Sequence, residues 1–576
     1  MDLSGASKPA PGQQQRDSWE RPSHFILTAL GYAVNVGTFV IYPTMFFYGG
    51  GADYFIPYLI TMVLFTMPMV YLEFSIGQLT QRGPVQAFTQ LCPLLKGVGV
   101  CMVVVSLLVN GYFNVMMSWI LFYLFSSLSP SLPYLTNDNA WNTPGNTPRA
   151  VDVDMDMDMW DLGGDLYNFT NITRLDRATR DFFNVRVLGI SDGIEQMGSV
   201  RWELLGCLVL TLIIEYLCIF KGVKLSGKVV YVTTLLPYAV LFLLLMVTLS
   251  LEGIGEGLSN AFGPSWYRLG SFEVWTRAVS QATYSFGMGT GVLISMGSYN
   301  KHNYNNICRD SVIVTLVHFA SVLLTALVVL GGIGHLNWLQ NSDWNDNIHG
   351  GFEQPFKEYT LILAAMPVPQ LWAVLFFIML LNMELGRLFS HLELVGSCVL
   401  ETLGPKLPPG LRRKEILLVP VCVASFLVGL PCVFQGGIYV VVLMDLYISI
   451  PMMMLPLLEI VGVCWMLGPT RLFDMFSKSL GKAPNIFFKV CWMGITPLIA
   501  VLTLAGNLAM HHPPMYYGFQ YPYWCAVVGF LLIVFTLMWI PIGYLRELWS
   551  PSRPHVPIHN PTAAEDDDRV EMEEVR

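Results

Sequence analysis

The chain has 576 residues, 54% hydrophobic and 13% charged, with a formal net charge of −9. A soluble protein of this size carries about 25% charged residues, and the apolar excess here lies in long runs, so a soluble fold is excluded and an all-α polytopic membrane protein is expected. The acidity sits in one long loop and in the tail at 565–574, which gives no basic face for a nucleic acid.

Residues 1–22 are polar, rich in Pro and Gln, and read as a tail without a cleavable signal. The first apolar run, 25–47, is long enough for a bilayer span of about 20 residues. It carries Gly31, Gly37 and Asn35 at mid-depth. Glycine costs about 1 kcal/mol against alanine in a helix, and an amide in hydrocarbon needs a partner. The run is either a tightly packed helix or a helix broken around a buried site.

Twelve spans follow from the apolar runs: about 25–48, 53–80, 97–128, 203–220, 229–251, 272–298, 309–334, 364–400, 415–434, 437–467, 486–507 and 521–547. The sixth holds Gln281, Ser285 and GMGTG at 287–291, a second candidate break. Two interrupted helices in matching halves of a chain point to a transporter site.

Lys and Arg fall in alternate short loops (Lys221, Lys224, Lys228; Lys301, Arg309; Lys406, Arg412, Arg413, Lys414; Arg471, Lys478, Lys482), which places both termini in the cytoplasm. The long loop 129–202 is then outside, with acceptor sequons at Asn168 and Asn171 and a low-complexity DVDMDMDM run at 152–159. The 11 cysteines lie in or beside apolar runs without metal spacing and read as buried thiols. No nucleophile–base motif, phosphate loop or metal cluster argues for an enzyme.

GYAVNVGTFVIYP at 31–43, followed by Gly49, Gly50, Gly51, Ala52 and by Ile56, Pro57, Tyr58, resembles the first helix and turn of the neurotransmitter:sodium symporters. The resemblance continues through KGVG (96–99), FNV (113–115), WNTP (141–144), KGVKLSGKVVY (221–231), GSYNK (297–301) and GGIYVV (436–441), and covers about 16–548. It implies 12 transmembrane helices with a five-plus-five inverted-repeat core and discontinuous helices 1 and 6. It also implies a cytoplasmic tail 1–22, a transporter domain 23–548, and an acidic cytoplasmic tail 549–576. The protein is expected in the plasma membrane, among lipids and moving a small organic solute such as an amino acid or amine by alternating access. Sodium and chloride are the ions such a carrier uses. The alternative is a family member that does not transport and acts as a regulator, chaperone-like partner or sensor. Substrate and oligomeric state do not follow from the sequence.

Residue by residue, the resemblance carries over unevenly. The second sodium site would use the backbone of Gly31, Val34 and Met383, but Gly386 and Arg387 stand where side-chain ligands belong, and Glu384 where glycine is usual. A guanidinium has no lone pair to offer a cation; Arg387 is expected either to act as a tethered cation against the Gly31 and Val34 carbonyls, with Glu384 as counter-ion, or to form a structural pair with Glu384 in a protein that no longer transports. The first sodium site would use Ala33, Thr38 and Ser285, with His318 in place of an asparagine.

The chloride site keeps Tyr58, Gln281 and Ser285. His318 either holds an anion when protonated or is a hydrogen-bonded core histidine. The substrate pocket would be walled by Ala33, Asn35, Tyr112, Phe113, Tyr284, Phe286, Gly287 and Thr290. Asn35 replaces the aspartate of amine carriers and the glycine of amino-acid carriers; it either meets substrate or bonds neighbouring backbone and fills the pocket. Arg16 and Glu401 match the inner gate. Asp445 matches the acidic half of the outer gate, where Ile41 replaces the arginine. The loop disulfide of the family is absent, with Asn137 and Asn146 at its positions.

Overall fold

A computed structural model describes residues 17–48, 51–142, 175–263, 266–301, 304–340, 351–481, 483–510, 514–516 and 518–550. Arg16, the sequons at Asn168 and Asn171, the 152–159 run, Asn146 and the acidic tail lie outside them, as does the side chain of Ile41. The described chain is helical apart from a hairpin of β1 (Met515–Tyr516) and β2 (Phe519–Gln520) and an isolated bridge between Val200 and Phe434.

The first apolar run is two helices, α1 (Pro22–Ala33) and α2 (Val36–Tyr48). After them come α3 (Asp53–Thr80), α4 (Pro84–Leu91), α5 (Lys96–Ser127), α6 (Trp202–Ile219), α7 (Val223–Thr248) and α8 (Ile254–Phe262). The second broken run is α9 (Phe272–Phe286) and α10 (Val292–Gly297). Then follow α11 (Ile307–Gln340), α12 (Glu358–Ala364), α13 (Pro369–Leu403), α14 (Lys414–Gly429), α15 (Gly437–Ile460), α16 (Pro469–Leu480), α17 (Ile486–Ala509) and α18 (Tyr523–Trp549).

Ten helices among the described residues are long and apolar enough to cross a membrane; the two broken runs fall short because neither half is long enough alone. The expected boundaries shift in places. The eighth span begins at Pro369 rather than 364, after a separate one-turn-and-helix lid over 351–364, and α7 begins at Val223 rather than 229.

α13 is the axis of the core. Its 35 residues, at about 1.5 Å each, reach roughly 50 Å, well beyond a hydrocarbon layer of about 30 Å. It packs along α5 and α7 and against both halves of the first run. α10 lies on α3 so closely that a Cβ on Gly77 would sit 1.9 Å from the Ile294 carbonyl oxygen, and one on Gly297 would sit 2.3 Å from that of Phe74. Such approach is the use of small residues where helices pack in lipid.

Near the start of the described chain, Trp19 ties α1 to α10. Its indole nitrogen donates to the Met296 carbonyl (3.1 Å), its amide donates to the Tyr299 carbonyl (3.0 Å), and its ring meets Tyr299 edge-on at 5.7 Å. Trp19→Ala should cost about 3–5 kcal/mol of packing. Thiols introduced at the same end of α10 should then become reactive to a water-soluble maleimide; unchanged reactivity would show that the tryptophan does not close that end.

Candidate functional site

α1 stops where Val34 leaves helical geometry (φ −98°, ψ 86°), and α2 begins two residues later. The backbone groups freed at the break find a partner in Asn35. Its amide nitrogen donates to the Tyr32 carbonyl (3.0 Å) and to the Ser285 carbonyl at the end of α9 (3.2 Å). One side chain therefore braces both breaks, and Asn35 bonds neighbouring backbone as the second of the two sequence readings has it.

The second break needs left-handed backbone. Gly287 (φ +53°), Gly289 (+74°) and Gly291 (+79°) supply it, a region costly for other residues. The Gly289 amide donates to a buried carboxylate oxygen of Glu73 (3.0 Å), and the Ser106 hydroxyl donates to the Thr290 carbonyl (2.9 Å). Tyr32 reaches across to Thr290, hydroxyl to hydroxyl at 3.1 Å.

Between the breaks the structure places the expected pocket residues Ala33, Asn35, Tyr112, Phe113, Tyr284, Phe286, Gly287 and Thr290 together, all buried. The guanidinium of Arg387, 1% exposed, enters this space. It stands over the rings of Phe113 (4.1 Å) and Tyr284 (5.0 Å), and its Nη1 donates to Asn35 Oδ1 at 3.5 Å. Nη2 has no hydrogen-bond partner.

This corrects the expected placement: Arg387 does not bond the Gly31 or Val34 carbonyls, and no contact within 4.0 Å joins it to Glu384. The reason is the length of the side chain, which carries the charge past α1 to two aromatic faces that attract it. Phe352 of the lid closes over Phe113, ring centroids 6.4 Å apart. In that lid, outside the apolar helices, burial pushes the Glu358 carboxyl up to about 8 and the Lys357 ammonium down.

The ion positions differ in fit. At the second sodium position Gly386 faces the Gly31 carbonyl, close enough that a Cβ added there would lie 2.8 Å from its oxygen. Behind Gly31, Val34 and Met383 there is instead a water-sized, mainly apolar cavity of about 10 Å³ towards Thr233 and Thr234 of α7. Gly386 has no side chain and the Arg387 guanidinium only donates, so neither offers a side-chain ligand to a cation. At the first position, Ala33, Thr38 and Ser285 are close, with the Thr38 hydroxyl donating to the Ala33 carbonyl at 3.4 Å; a set of hard oxygens suits Na⁺.

At the chloride position the hydroxyl of Tyr58 is paired with His318 Nε2 (3.1 Å), and Gln281 donates to the Ser285 hydroxyl (3.4 Å). His318 is fully buried and lies edge-on to Phe286 (4.5 Å). Its hydrogen bond to Tyr58 occupies one of the hydroxyls expected at the chloride position.

Of the expected gate residues, Asp445 accepts from the hydroxyls of Tyr112 (2.9 Å) and Tyr284 (2.6 Å). Both oxygens of Glu401 accept from the Gly83 amide (3.2 and 3.1 Å).

Sequence reasoning passed over Glu73, Glu215, Glu459 and His391, all buried in the core. The signal was present: each is an ionisable group inside an apolar run, which is a site hypothesis by default.

A family model described as the Sodium:neurotransmitter symporter family matches residues 16–550. The sodium- and chloride-dependent GABA transporter ine of Drosophila melanogaster is 34% identical over 554 residues, covering 95% of this chain. The sodium- and chloride-dependent glycine transporter 2 of Xenopus laevis is 33% identical over 554 residues, covering 93%. The chain spans 57% of the first relative's length and 69% of the second's.

Proposed function

The chain belongs to the sodium:neurotransmitter symporter family, and we propose that it is a multi-pass secondary transporter that carries a small organic solute by alternating access through the pocket at its two helix breaks. It performs no covalent chemistry. Twelve crossings are reached when the ten continuous helices are joined by the two broken runs, with spans 1–5 and 6–10 as inverted repeats. Both termini are cytoplasmic, the membrane is the plasma membrane, and Asn168 or Asn171 carries glycan.

The observation that carries this reading is the Asn35 amide bonding the carbonyls of Tyr32 and Ser285, which holds the two breaks against one pocket. Coupling to ions is altered. Ala33, Thr38 and Ser285 would hold one sodium ion, which when bound supplies a positive charge beside the pocket. The second sodium position lacks side-chain ligands at Gly386 and Arg387, and Arg387 supplies a fixed charge within the pocket itself. The second reading, a member that binds but does not carry, draws on the same filled pocket.

The test is uptake into proteoliposomes holding the full chain. Radiolabelled glycine and GABA, the solutes in the relatives' names, are the first probes. Accumulation that rises with the first power of the sodium concentration and persists when gluconate replaces chloride is the expected result. A steep two-ion sodium dependence would overturn the altered coupling, and binding without uptake would favour the second reading.

A further inference from the structure

The Arg387 guanidinium, 1% exposed, stands in the pocket with its hydrogen bonding unfinished. Nη1 reaches Asn35 Oδ1 at 3.5 Å, the outer limit of a hydrogen bond, and Nη2 has no partner. The rings of Phe113 and Tyr284 attract the cation but leave that nitrogen unsatisfied. Two acids lie in electrostatic range, Glu384 one turn back on α13 and Asp445 on α15. Neither is hydrogen-bonded to Arg387. Glu384 makes no hydrogen bond at all, and Asp445 Oδ1 accepts from the hydroxyls of Tyr112 and Tyr284. Among the described residues no carboxylate forms an ion pair with this guanidinium. A cation left in the core without a paired anion is costly, and an ionisable side chain at such depth marks a site.

We propose that the pocket at the two helix breaks takes a small organic acid without an amino group, whose carboxylate is held by Arg387. The planar guanidinium offers two parallel N–H groups to a carboxylate, the strongest pairing open to it. Nothing in the pocket answers an ammonium in the same way. Asn35 is neutral, its amide nitrogen is engaged by the carbonyls of Tyr32 and Ser285, and its Oδ1 faces Arg387. Asp445 is capped by the two tyrosine hydroxyls, which lie 3.2 Å from each other. An ammonium placed here would lose its water without gaining a free carboxylate.

The rest of the ligand is set by the walls. Phe113, Tyr284 and Phe286 are buried around the charge, so the body behind the carboxylate is apolar. A chloride ion would meet the same charge, but it cannot use the two-pronged geometry and buries no apolar surface on the rings.

The inference rests on the reading of the paired breaks as a ligand pocket, and it is tested by binding rather than transport. Thermal midpoints of the purified full chain are measured with sodium acetate, sodium butyrate and sodium benzoate. Sodium chloride at equal concentration, the three matching amides, butylamine and GABA are the comparisons. At least one carboxylate should raise the midpoint increasingly with concentration, while its amide, butylamine and chloride should not. GABA, which is butyrate with an added ammonium, should bind more weakly than butyrate. Arg387→Met should weaken the carboxylate by about ten- to a hundredfold, the worth of a hydrogen bond to a charged group. Arg387→Lys keeps the charge but not the fork and should retain part of the affinity, which separates a lost ligand contact from a lost fold. No shift with any of the three carboxylates overturns the proposal, as does an equal shift from the amide or from chloride, GABA binding where butyrate does not, or undiminished binding in Arg387→Met. A carboxylate that binds but is not taken up into proteoliposomes keeps this inference and loses the transport reading. Uptake of glycine or GABA without carboxylate binding does the reverse.

Discussion

Arg387→Met should raise the thermal midpoint of the purified protein, not lower it. The guanidinium gains about 2 kcal/mol from its aromatic contacts when desolvated, and one long hydrogen bond adds about 1 kcal/mol. Against this stands a cation held in the core with Nη2 unpartnered, a cost of several kcal/mol. Methionine fills a similar volume without charge. Replacing buried charges by apolar groups of matching shape stabilises by about 1–4 kcal/mol where it has been done, and that is the gain expected. Scanning fluorimetry on the wild type and the variant at one pH checks it. A fall of similar size would make Arg387 a structural anchor. A rise, with ligand binding lost, marks a residue kept for function at the expense of the fold.

The largest loss should come from Gly77→Ala. The new methyl group would stand 1.9 Å from the Ile294 carbonyl oxygen and 2.8 Å from the Ser298 amide nitrogen, both backbone atoms of α10 or its edge. Overpacking a core costs about 1–3 kcal/mol when side chains can move; here a helix must move instead, so the cost exceeds that range. Little monodisperse protein should be recovered from membranes. Gly206→Ala is the matched control. Nothing lies within 4 Å of its Cβ on α6, and alanine in an open helix position is better by about 1 kcal/mol. Similar recovery of both variants would show that α3 and α10 do not pack as described.

The broken helices were legible because polar and small residues inside an apolar run are costly unless used: Asn35 in the first run, and the glycines 287, 289 and 291 in the sixth. Arg387 was legible as an anomaly but not as to its direction. Sequence places a side chain on a helix face, while the end of an arginine lies several bonds further, where Phe113 and Tyr284 decide its position. His318 was open between two roles until Tyr58 was found against its ring. The carboxyls of Glu73 and Glu215 were passed over, since their partners, the Gly289 amide and Asn110, are far off in the chain. The lid at 351–364 carries no strong periodicity, and its packing on Phe113 depends on contacts that no local pattern encodes.

The bridge made by Asn35 has a kinetic side. The two interrupted segments lie 250 residues apart in the chain, yet the same amide nitrogen satisfies a carbonyl in each. Neither segment can be remodelled without stranding that nitrogen in apolar surroundings, at about 1–3 kcal/mol. The two segments therefore share a single activation step: whatever frees one frees the other, and a rearrangement that begins at either end of the protein meets the same barrier.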